Sequence, residues 1–60
     1  MNEVDKLKVY DLCLESKFGK VLTQKQMIFL SKMWEEYPDD YKEISKKVRE
    51  EAMKRMNPKA

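Results

Sequence analysis

The chain has no histidine, and among its 60 residues there is one cysteine and one glycine. Without histidine there is no imidazole for general acid–base work, or for a Ser/His or Cys/His nucleophile pair. The lone Gly19 cannot build a glycine-rich phosphate loop. The lone Cys13 cannot close an internal disulfide, and a free thiol fits a reducing compartment. No apolar run approaches the roughly 20 residues a membrane span needs. The segment Met1-Asn2-Glu3-Val4-Asp5-Lys6 alternates in charge and lacks the apolar stretch of a signal peptide. These absences predict a soluble cytoplasmic protein that is not an enzyme. No cofactor, no metal, no membrane and no small-molecule substrate is expected.

One glycine and two prolines leave few turn positions, which favours long helices. Apolar residues make up 42% and charged residues 40%, too apolar for a disordered chain and highly charged for its size. A chain this short is one domain at most and buries only about 60% of its unfolded surface. One core at this length supplies about 3–5 kcal/mol, and no disulfide or metal reinforces it. Association with a partner protein or with a second copy is therefore a physical expectation.

The hydrophobic pattern predicts an all-α fold, a small three-helix arrangement that could form a homodimer, with helices over about 2–17, 24–36 and 38–56. In the first helix Val4, Leu7, Tyr10 and Leu14 form one stripe at helical spacing. Val9, Leu12 and Cys13 fall on the opposite side. A helix apolar on both sides is either central or buried against a second partner. The alternation of Tyr10, Leu12 and Leu14 also suits a strand over 8–14, but Val9 and Cys13 would then need burial too. Phe18-Gly19-Lys20 ends the helix, with Gly19 as a left-handed cap.

The second helix has the clearest start in the chain. Thr23 and Gln26 stand at capping-box spacing, and Leu22 and Met27 at the spacing of a hydrophobic staple. Met27, Leu30, Met33, Trp34 and Tyr37 make a broad apolar arc, with Ile28 and Phe29 outside its centre. Pro38 ends this helix and suits the first position of the next. Asp39 and Asp40 then complement the positive end of the helix dipole. Tyr41, Ile44, Val48, Ala52 and Met56 form the third helix's core stripe, and Asn57-Pro58 stops it. Glu43–Lys47, Glu50–Lys54 and Glu51–Arg55 are ordered to pair at i,i+4.

Cys13, between two leucines, reads as a small buried thiol. Glu35, Glu36, Asp39 and Asp40 read as solvated and capping carboxylates, not as a converging cation site. Residues 1–41 carry six Lys against eight Asp and Glu, whereas residues 42–60 carry seven Lys and Arg against three Glu. Within that basic segment Lys42, Lys46 and Arg49 lie on one flank at i, i+4 and i+7, where they could meet phosphates. No Asn or Gln accompanies them, so any nucleic-acid binding would be mostly sequence-independent.

Leu22-Thr23-x-Lys25-Gln26-x-x-x-Leu30 and Tyr41-Lys42-Glu43-Ile44-Ser45-Lys46-Lys47-Val48 resemble the helix-turn-helix of sigma-factor region four and its relatives, over about residues 18–48. That resemblance implies a supporting helix followed by the first helix of a DNA-binding pair, then a tight turn and a recognition helix. After Val48 the chain departs from the pattern. Arg49-Glu50-Glu51-Ala52 offers no turn, and the apolar period runs on through Ala52 and Met56. One continuous helix is expected there, so no recognition helix carries over.

Two function classes remain. The first is a small non-enzymatic interaction protein, such as the regulators and inhibitors that phages encode. It would bind a partner through apolar faces of helices one and two, with Val9, Leu12, Cys13, Ile28 and Phe29 as contacts. The second is a small DNA-binding regulator that uses Lys42, Lys46 and Arg49.

Overall fold

Local chemistry defines each helix of the computed structural model, which describes residues 1–56. The elements are α1 (Glu3–Lys17), α2 (Gln24–Glu36) and α3 (Pro38–Met56), with no strand among the described residues. The stop expected at Asn57-Pro58 lies outside them.

Asn2 caps α1: its side-chain oxygen accepts the Asp5 amide at 2.8 Å. Glu3 and Asp5 add negative charge to the first turn, where the helix dipole is positive. The other end is a Schellman motif. The Gly19 amide donates to the Ser16 carbonyl and the Lys20 amide to the Glu15 carbonyl, both at 3.1 Å. Gly19 has φ +88°, a geometry that a side chain at Cβ resists. Lys20 Nζ also pairs with Glu15 across the same turn at 3.4 Å.

Thr23 and Gln26 form a complete capping box at the start of α2. The Gln26 amide donates to Thr23 Oγ1 at 3.2 Å, and the Thr23 amide to Gln26 Oε1 at 2.9 Å. A single residue, Tyr37, separates α2 from α3. Its amide closes α2 on the Met33 carbonyl at 2.8 Å, and its carbonyl accepts the Tyr41 amide at 2.9 Å as the first bond of α3. Pro38 begins α3, where no amide is needed.

The helices run up, down and up. Near the start of both α1 and α3, the Met1 amine meets Asp40 at 3.1 Å. Near their ends, the Arg55 guanidinium lies over the Phe18 ring at 5.6 Å. The α1–α3 contact is the largest in the fold, and α2 docks less extensively on both. Val9, Met33, Ile44 and Val48 form the buried cluster, and Ala52 is buried as well. Tyr10, Cys13, Leu14, Phe29, Leu30 and Tyr41 pack around it. Trp34 meets Tyr41 edge-on, with ring centroids 5.4 Å apart.

Within α1 the most buried position is Val9, from the opposite side of the helix; Tyr10 and Leu14 of the expected stripe pack around the core, but Val4 and Leu7 do not. Val9 is 0% exposed, whereas Val4 and Leu7 are each 62% exposed. Both sides of α1 are apolar, so periodicity alone does not choose between them. Short side chains decide the matter: Val9 and Cys13 face the stripe containing Val48, and short side chains let helix axes approach closely. In α2 the packed line is Phe29, Leu30 and Met33, while Met27, Trp34 and Tyr37 are exposed. Ile44, Val48 and Ala52 are buried in α3, but Met56 extends past the end of α1 and is exposed. Of the three expected i,i+4 pairs, Glu51–Arg55 closes, at 3.2 Å; no other i,i+4 ion pair forms among the described residues.

Candidate interaction surfaces

The five residues expected to contact a partner do not share a surface. Val9 is sealed in the core and is unavailable for docking while the fold is intact. Cys13 is half-buried on the same side, its thiol donating to the Tyr41 hydroxyl at 3.7 Å. Burial pushes the Cys13 thiol above its ordinary range, against the smaller opposing effects of that hydrogen bond and of Lys17. Tyr41 is pushed up to about 12, first by burial and then by its contact with Cys13. Leu12 is half-buried. Phe29 packs against the core, and Lys8 Nζ lies over its ring at 5.9 Å. Ile28 alone among the five is strongly exposed, at 59%.

A different apolar stripe faces outward. Val4 and Leu7, three residues apart on α1, lie on the side away from Val9, and Phe18, the C-cap residue of α1, stands eleven residues beyond Leu7 on the same side. Val4, Leu7 and Phe18 are exposed; Asp11 interrupts the line, and Leu14 beside it is half-buried against the core. On α2, Met27, Ile28 and Trp34 are exposed too. The sequence carries a signal for the α1 stripe, since Val4 and Leu7 belong to one apolar face. Nothing local distinguishes that face from the Val9 face.

The basic flank of α3 is open to solvent. Lys42, Lys46 and Arg49 are all exposed, and none forms an ion pair with a described residue. Met53 continues the line and is exposed as well. The helix beneath runs unbroken from Pro38 to Met56, with no turn after Val48. No helix among the described residues is long and apolar enough to cross a membrane.

One groove opens between α1 and α3, with a volume of about 500 Å³. Its apolar lining is made by Leu30 of α2, by Cys13 and by the buried Val48. Its outer wall is polar, with Lys17 and Ser16 on α1 facing Arg49 and Ser45 on α3. Tyr41 also lines it, and no carboxylate does.

Comparison of the chain with protein-family models, with curated proteins and with solved structures finds no match.

Proposed function

We propose that this is a small non-enzymatic interaction protein that binds another protein through the outward apolar stripe of α1, with Ile28 of α2 as a further contact. One observation carries the reading. Val4 and Leu7 are more than half exposed on the helix whose opposite side supplies the fully buried Val9. An isolated domain gains nothing by keeping a second apolar face on a helix already packed through its other side. A partner that covers it removes that surface from water at about 25 cal/mol per Å². Lys8 and Glu15 lie along one border of the stripe and Glu3 along the other. Such mixed charges set orientation and encounter rate more than affinity.

The test is whether a captured protein partner depends on Leu7. Leu7→Asp should abolish capture while leaving the helical fold intact. Retained capture in that variant rules out the α1 stripe as the interface.

A second reading has its own observation, the exposed cations Lys42, Lys46 and Arg49 on one flank of α3. In that reading the protein is a small regulator that holds DNA through phosphates, without base readout. Affinity would fall steeply with added salt, whereas docking through the α1 stripe would tolerate it.

A further inference from the structure

We propose that the groove between α1 and α3 binds an acidic peptide segment whose anionic groups flank one apolar side chain. The proposal concerns a second surface, on the other side of α1 from the outward stripe. It rests on the protein-docking reading only in choosing a peptide over another anion.

The groove's composition departs from that of the surface around it. The chain has 11 Asp and Glu, yet none lines the groove, while Lys17 and Arg49 both do. Neither cation has an ion-pair partner among the described residues. Two cations on separate helices therefore border one opening without a counter-charge. A guanidinium grips a carboxylate with two parallel donors, and an ammonium adds a point charge.

The remaining lining narrows the ligand. Ser16, Ser45 and Tyr41 carry hydroxyls that donate and accept, which suits a peptide backbone as well as a carboxylate. Val48, Leu30 and Cys13 give the groove an apolar floor that a bare phosphate would not use. A volume of about 500 Å³ lies within the usual range for ligand pockets. An apolar side chain seated over Leu30 and Cys13, with carboxylates reaching Lys17 and Arg49, satisfies both sides of the lining together. A nucleic-acid backbone would engage the cations and leave the floor empty.

The experiment titrates the isotopically labelled full chain with capped synthetic peptides, read by backbone amide shifts. The probes are Glu-Glu-Leu-Glu-Glu and Glu-Glu-Phe-Glu-Glu. Glu-Glu-Ser-Glu-Glu, Lys-Lys-Leu-Lys-Lys and a single-stranded oligonucleotide serve as comparisons. The expected result is saturable shifts at Lys17, Ser45 and Arg49 with the first two peptides. The serine peptide should bind more weakly and the lysine peptide should not bind. Lys17→Glu with Arg49→Glu should weaken binding at least about tenfold, the scale of one lost charge-assisted contact. Lys17→Arg should retain it, and Leu7→Asp on the opposite stripe should leave it unchanged. Absence of saturable shifts with both acidic peptides overturns the proposal, as does binding that survives the double charge reversal. Displacement of the peptide by the oligonucleotide at equal concentration assigns the groove to nucleic acid instead. A partner lost in Leu7→Asp but insensitive to the double reversal would leave the α1 docking reading standing and the groove proposal refuted.

Discussion

Val9 and Leu7 sit two residues apart on α1 and face opposite ways: Val9 is closed to solvent and Leu7 is 62% exposed. Substitutions at the two positions should therefore separate folding from binding. Val9→Ala is expected to cost about 2 kcal/mol, from lost burial and a partly unfilled cavity. That is a large share of what a core of this size supplies. Leu7→Ala should change stability by no more than about 0.5 kcal/mol. Urea unfolding followed by circular dichroism measures both. Equal losses would mean that Leu7 is packed.

Gly19 ends α1 at φ +88°, with open space where a Cβ would stand. Gly19→Ala meets no steric neighbour, so its cost is conformational alone, about 1–2 kcal/mol. Gly19→Asn should cost less, since Asn enters this region more readily. In a domain of this size a loss of 1 kcal/mol lowers the thermal midpoint by roughly 8 °C, so calorimetry resolves the two variants. A midpoint unchanged in Gly19→Ala would show that the helix ends differently in solution.

Thr23 and Gln26 satisfy each other's backbone donors at the start of α2. Thr23→Ala is expected to cost about 1 kcal/mol. The Gln26→Ala change should then cost little more in the Thr23→Ala background, because the box acts as a unit. A double-mutant cycle by denaturant unfolding measures this coupling. Strict additivity would mean that the two hydrogen bonds are independent.

Tyr41 gives the fold a defined response to high pH. Burial and the neighbouring Cys13 raise its pKa from 10.0 to about 12. The unfolded chain ionises this phenol first, so Tyr41 contributes its full stability below pH 10. That contribution is lost as pH rises from 10 through about 12. Cys13, raised from 9.0 by burial, begins a loss of the same sign at slightly lower pH. Tyr41→Phe should remove the part of the slope between pH 10 and 12, measured by urea midpoints across that range. An identical slope in Tyr41→Phe would place its origin at another group.

These residues also show how far the chain could be read before its structure. The starts of α2 and α3 were legible because their signals are local: Thr23 and Gln26 three apart, and Pro38 followed by two aspartates. The cap at Gly19 was legible for the same reason. Which face of α1 enters the core was not, because that choice depends on fit to another helix. Val9 and Cys13 pack toward the α3 stripe containing Val48, and that match appears only once α1 and α3 lie side by side. Phe29, not Trp34, packs into the core for a similar reason, since the rotation of α2 follows from where α1 and α3 leave room. The groove was equally illegible, because Lys17 and Arg49 are 32 positions apart and meet only through the parallel course of their helices.

The most direct test is affinity capture from the protein's native cell, with and without nuclease treatment, using three forms of the chain. The forms are the wild type, Leu7→Asp, and the triple reversal of Lys42, Lys46 and Arg49 to Glu. The expected result is a protein partner retained by the wild type and the triple variant and lost in Leu7→Asp. A bound species removed by nuclease and lost in the triple variant, or a partner that Leu7→Asp still holds, would contradict docking through the outward stripe of α1.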